Sequence, residues 1–149
     1  MVSGYQISTD PARLDIDAIH AYLTRSYWSP GIPREIVERA AANSLCFGLF
    51  DTATGAQVGF TRVVTDYATF GYLCDVYVLE EHRGRGLSKW MMRECLAHPA
   101  LAGARRAMLA TRDAHGLYRQ FGFADVVRNT NLMEIVRADI YAPRTDSRS

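Results

Sequence analysis

The sequence predicts an α+β protein built on one central sheet with helices on both faces. Three observations predict it. Strand-like apolar runs occur in six places, and helical apolar spacing occurs in four. These elements follow the order β-α-α-β-β-β-α-β-α-β. The three middle strands are joined by connections too short to cross over, so they form an antiparallel meander.

"GYQIS", residues 4–8, is a short strand. Residues 12–27 put Leu14, Ile16, Ile19, Leu23 and Tyr27 on one helical face. "SPGIP" interrupts, and Pro33 suits the first position of a second helix with Ile36, Val37, Ala40 and Ala41 as its stripe. "SLCFGLF" (44–50), "QVGFTRVVT" (57–65) and "TFGYLCDVYVL" (69–79) form the meander, the first two joined by the turn "DTATGA". Leu87, Trp90, Met91 and Cys95 mark a third helix that ends near Pro99. "RRAMLAT" (105–111) is a strand. A fourth helix over 113–121 carries Ala114, Leu117, Tyr118 and Phe121, and Gly122 ends it. "NLMEIVR" (131–137) is the last strand. Residues 1–149 are expected to be one domain, with about 138–149 a polar tail that frays.

A chain of 149 residues has room for one substantial core. Its net charge of +1 argues against a general nucleic-acid or anionic-membrane binder. Cys46, Cys74 and Cys95 are odd in number and lack a CxxC spacing, so neither a disulfide framework nor a metal site is suggested. Buried free thiols in a reducing compartment are the expectation. "MVSGYQIST" lacks the pattern of a signal peptide, and no apolar run approaches the roughly 20 residues that span a bilayer. A cytoplasmic protein is expected.

One stretch, "EHRGRGLSKW" at 81–90, stands between the strand "CDVYV" and an amphipathic helix. A helix start presents free N–H groups and the positive end of the helix dipole. Gly84 and Gly86 allow positive φ and close backbone approach. Arg83, Arg85 and the Ser88 hydroxyl add donors, so the stretch is suited to a diphosphate. It is not a Walker loop, which needs GxxxxGK, and Lys89 breaks a GxGxxG fingerprint. A solvated glycine turn is the alternative.

"VYVLEEHRGRGLSKWMM" resembles the acyl-CoA signature of the GNAT N-acetyltransferase superfamily, with Arg83, Gly86 and Ser88 at its key places. "AHGLYRQFGF" resembles the family's second hallmark block, and the two occur in the family's order and separation. The resemblance covers about residues 5–136. It implies the GNAT-like fold, a mixed sheet of about six to seven strands flanked by about four helices on both faces. It also implies an acetyl-CoA-dependent enzyme that acetylates an amine-bearing small molecule or protein, with no metal, nucleic acid or membrane involved. A homodimer is compatible with it.

By similarity, Arg83, Gly84, Arg85, Gly86, Leu87 and Ser88 hold the pyrophosphate. The backbone of Val76, Tyr77 and Val78 pairs with the pantetheine arm, an extended diamide that can use ladder positions left open by parted strands. Tyr118 matches the family's tyrosine near the CoA sulfur. A phenol protonated at neutral pH can donate to a leaving thiolate. Thr111 stands where many relatives carry a cofactor-contacting asparagine, with Asp113 beside it as a helix cap. Asp75 interrupts an apolar strand and is either the base for the acceptor amine or a structural carboxylate. His115 and Glu134 are lesser base candidates. Tyr27 and Trp28 are an aromatic wall for the acceptor or a staple between helix ends, and Phe47, Arg62 and Tyr72 are further lining candidates. No residue is arranged as a nucleophile for a covalent acetyl-enzyme. A non-catalytic acyl-CoA-binding or sensor module is the alternative class.

Overall fold

Five strands make one mixed sheet, in the order β1-β2-β3-β4-β5, in the computed structural model, which describes residues 1–143. They are β1 Tyr5–Ser8, β2 Leu45–Asp51, β3 Gln57–Thr65, β4 Phe70–Val78 and β5 Arg106–Leu109. β1 through β4 pair antiparallel, as the short connections require, and β4 pairs with β5 in parallel. Five α-helices accompany them: α1 Ile16–Leu23, α2 Arg34–Ala42, α3 Leu87–Ala97, α4 Pro99–Ala102 and α5 His115–Arg119.

The α+β architecture stands, but with five strands among the described residues rather than six to seven. "NLMEIVR" is the strand that does not form. A strand needs a neighbour for its backbone groups, and β5, the edge beside which it would lie, pairs only with β4. Leu132, Met133, Ile135 and Val136 are all exposed. The expected tail lies partly outside the described residues, at 144–149; before them, Tyr141 packs against the cluster under α1 and α2.

Two helix boundaries matter for the site. α1 begins after Asp15, whose carboxylate accepts from the Ala18 N–H at 3.0 Å. It stops at Leu23, where the Ser26 hydroxyl donates to the Leu23 carbonyl at 2.7 Å. Tyr27 therefore sits in the loop beside Trp28, not on the expected helix. α4 is an extra turn in which His98 caps the Ala100 N–H and Pro99 takes the first position.

The sheet is buried on both faces. Leu45, Phe47 and Leu49 of β2 face α3, α4 and α5, while Cys46 between them faces α1 and α2. β4–β5 pairing runs only from Phe70 opposite Arg106 to Leu73 opposite Leu109. β4 continues to Val78, so its last five residues have no β5 partner.

Met91 is fully buried where α3 meets β2, β3 and β4. Met91→Ala is expected to lower unfolding stability by about 2–5 kcal/mol, since the pocket it fills cannot collapse fully. Urea denaturation of the two proteins measures this.

Candidate active site

β4 parts from β5 after Leu73, and Asp75 lies two residues into the unpaired end. This residue has φ of 57°, in the left-handed region that side chains rarely adopt, and the β3–β4 register shifts beside it. Its side chain is locked from two sides. Arg62 Nε donates to Oδ2 at 2.8 Å, and Trp28 Nε1 donates to Oδ1 at 3.0 Å. The carboxylate side chain is only 9% exposed, so its charge is held by these partners rather than by water. Arg62 is steadied in turn by the Ser44 hydroxyl at 3.1 Å.

A cleft of about 360 Å³ opens over this bulge, lined among others by Tyr27, Trp28, Tyr72, Asp75, Thr111 and Tyr118. Tyr27 and Trp28 meet edge to face at 5.1 Å. The Arg112 guanidinium lies 3.8 Å over the Tyr27 ring, and the Arg112 N–H donates to the Tyr27 hydroxyl at 3.4 Å. The α1–α2 loop is thereby clasped to the β5–α5 loop across the cleft. The aromatic pair is thus a wall of the cleft.

Val76 lines this cleft, and Val78 lines a second one of about 280 Å³ beside Arg83, Gly84, Gly86, Leu87 and Ser88. The unpaired end of β4 joins the two. Tyr77 between them turns its ring inward, stacked on Tyr22 at 3.9 Å, so it offers the clefts its backbone only. Gly84 and Gly86 have φ of 80° and 77°, which is why glycine is needed there. α3 starts after Gly86 with no side-chain cap, and the N–H groups of Gly84 through Ser88 donate to nothing among the described residues.

The two arginines of this loop also have partners within the fold. Arg83 donates to the Val78 carbonyl at 2.9 Å and to the Tyr22 hydroxyl at 3.0 Å. Arg85 donates to the Tyr5 hydroxyl at 2.7 Å. Both guanidinium groups brace the loop against β4, α1 and β1, and the open donors are backbone amides.

Tyr118 is 8% exposed and packs edge to face on Phe123 at 5.9 Å. Burial pushes its phenol above the ordinary tyrosine value. Thr111 Oγ1 accepts from the Ala114 N–H at 3.1 Å, so Thr111, rather than Asp113, caps the turn that presents Tyr118. Cys74 lines the cleft, but burial pushes its thiol up to about 11. Phe47 does not join the site. It is 2% exposed, in the core under α3 and α4, where its ring meets His98. His115 lines a different groove. The sequence did not single out Tyr22 or Asp75's bond to Trp28, because nothing local links residues so far apart.

A family model described as the acetyltransferase (GNAT) family matches residues 11–123. The chain belongs to this family. It is a GNAT-type acetyltransferase. A Gibberella zeae protein that carries an acetyltransferase name is 38% identical over 143 residues, covering 81% of this chain and 80% of that one. A GNAT-family crystal structure from Xanthomonas campestris pv. campestris is 48% identical, with a TM-score of 0.90 over 96% of this chain and 100% of that one. A Clostridium acetobutylicum acetyltransferase structure with acetyl-CoA shares the fold, at 16% identity and a TM-score of 0.64 over 89% of this chain and 94% of that one. Among the described residues of the acetyltransferase, no cluster of His, Cys, Asp or Glu is placed to hold a metal ion, and no helix is long and apolar enough to cross a membrane.

At neutral pH the Cys74 thiol stays protonated, and the reactive thiolate fraction grows as pH rises toward about 11. Alkylation of Cys74 by iodoacetamide, followed by peptide mass spectrometry, is expected to be slow at pH 7 and to accelerate across that range. A rate at pH 7 equal to that of free cysteine contradicts it.

Proposed function

We propose that the acetyltransferase moves the acetyl group of acetyl-CoA to an amine acceptor by direct attack within a ternary complex. The observation that carries this reading is the unpaired end of β4, which connects a cleft of free backbone donors to a cleft holding a buried tyrosine.

In this reading the N–H groups from Gly84 to Ser88, with the positive end of α3, bind the diphosphate. Arg83 and Arg85 hold that loop in shape. The free backbone of Val76 to Val78 pairs with the pantetheine amides as an added strand. This lays the thioester near Tyr118, and a β4 N–H polarises its carbonyl. The acceptor enters past Tyr27, Trp28 and Tyr72. Its neutral nitrogen attacks the carbonyl carbon and gives up a proton to water, the C–S bond breaks as the Tyr118 hydroxyl gives its proton to the leaving sulfur, and Tyr118 regains a proton from water. Burial suits Tyr118 to this, because the phenol remains a donor throughout the neutral range.

Both Asp75 oxygens already accept hydrogen bonds. We therefore assign Asp75 to positioning, holding Trp28 and the bulge, while the amine loses its proton to water in the open cleft. The high thiol value of Cys74 supports direct transfer over a covalent acetyl-enzyme.

Tyr118→Phe is expected to lower kcat by about 100-fold or more while leaving acetyl-CoA affinity nearly unchanged. Steady-state kinetics with an amine panel, read by free-thiol release, together with calorimetric binding, tests this. Tight acetyl-CoA binding with no turnover on any amine would favour the sensor module instead. Gly86→Val puts a β-branched residue at a φ of 77° and crowds the cradle. It is expected to weaken acetyl-CoA binding about tenfold; unchanged affinity rejects the cradle. Asp75→Asn is expected to raise KM for the acceptor more than it lowers kcat, with an unchanged pH profile. Loss of the acidic limb of that profile would make Asp75 the base.

A further inference from the structure

We infer that the amine acceptor carries a carboxylate, and that Arg112 in the wall of the cleft over β4 binds it. The inference rests on the acetyl-transfer reading for one thing only, that an acceptor amine occupies this cleft.

The polar side chains lining the cleft divide into groups the fold has taken up and groups it leaves open. Both Asp75 oxygens accept, from Arg62 and from Trp28, so neither that carboxylate nor the indole N–H is left for a ligand. Thr111 Oγ1 accepts from the Ala114 N–H. The open side-chain groups are mostly donors. The Tyr72 hydroxyl has no hydrogen-bond partner among the described residues. Burial first, then the nearby Cys74 and Asp75, push its phenol above the ordinary value, so it stays protonated at neutral pH. Asp113 is the exception, a carboxylate with 70% of its side chain exposed at the rim.

Arg112 is the strongest of the open donors. Its guanidinium carbon lies 3.8 Å over the Tyr27 ring, so the ring covers one side of the group. The Asp113 carboxylate oxygen is 4.0 Å from Nη2, beyond hydrogen-bond range. Arg62, Arg83 and Arg85 each donate to a partner in the fold, at 2.8, 2.9 and 2.7 Å. The Arg112 side chain donates to none among the described residues, and 65% of it is exposed. A guanidinium held by an aromatic ring with its donors open is a fork that matches the two oxygens of a carboxylate.

Placement agrees with this role. Arg112 and Tyr118 both line the cleft and lie on one short stretch, the β5–α5 loop and α5 itself. An acceptor gripped at Arg112 by one end thus has its other end in the same cleft as the proposed acid. The volume of about 360 Å³ is on the scale of a small-molecule site. The class that fits is a free amino acid or a small relative of one, with the amine for transfer and the carboxylate for Arg112.

Calorimetric titration of the twenty common L-amino acids, each beside its carboxamide, into the full chain saturated with CoA tests this without requiring turnover. At least one acid is expected to bind about tenfold or more tightly than its amide. Arg112→Gln is expected to abolish that preference while leaving amide affinity within about twofold, which a disturbed cleft wall would not do. Arg112→Lys is expected to retain part of the preference, because it keeps the charge and loses the fork. Equal affinity for acid and amide in every pair overturns the inference, and so does a preference that survives Arg112→Gln. An aminophosphonate analogue that binds more tightly than the best acid overturns the carboxylate assignment. Free-thiol release with acetyl-CoA separates this inference from the reading it rests on. Turnover confined to amines without a carboxylate overturns the inference and leaves acetyl transfer standing. Acids that bind through Arg112 with no amine or acid acetylated support the carboxylate site and reject acetyl transfer.

Discussion

The bulge at Asp75 holds the site open. Placing a non-glycine residue in the left-handed region costs about 1–3 kcal/mol. Asp75 meets that cost with two charge-assisted hydrogen bonds, from Arg62 and Trp28, each of a kind that contributes about 1.5–3 kcal/mol. The balance favours the strained backbone as long as both partners stay. The ion pair is largely desolvated, and removing Arg62 would leave the Asp75 charge with the Trp28 N–H alone. The interaction therefore ties together β3, β4 and the α1–α2 loop. It turns the end of β4 away from β5 and sets the aromatic wall over the gap.

From that gap the rest follows by position. Five residues of β4 keep backbone groups that no strand takes up. They lead to a helix start whose amides are also free. The glycines supply the backbone shape, and the arginines beside them are spent on neighbours in the fold. On the proposed reading, a chain of net charge +1 binds its diphosphate without a basic surface. The donors are amides and a helix dipole, short in range and directional, rather than a diffuse positive field.

Burial sets the chemistry of the site in opposite senses for two groups. It keeps the Tyr118 phenol protonated, which suits a proton donor, and it keeps the Cys74 thiol protonated, which makes a poor nucleophile.

Local pattern was enough for most of the architecture. The meander, the helix after "RGRGLS" and the short turn carrying Tyr118 were legible because periodicity, glycine and capping act within a few residues. The glycine loop and Tyr118 were legible as candidates because each lies in a compact motif, and both line the clefts at the end of β4. Three things were not. Tyr27 reads as part of a helical stripe, and only the Ser26 hydroxyl closing on Leu23 puts it in a loop. Phe47 reads as exposed to the cleft or to the core equally well, and the pleat of β2 sends it to the core. "NLMEIVR" has the composition of a strand, but a strand exists only where another offers its edge. The sequence alone determined which segments could be helix or strand and where a helix would start with free amides, since those depend on near neighbours. Only the tertiary structure decided that Asp75 is bonded to residues 13 and 47 positions away, that Arg83 reaches Val78 and Tyr22 and Arg85 reaches Tyr5, and that the last segment stands unpaired among the described residues. Those outcomes depend on side chains brought together through space, and no local signal encodes the distance between them.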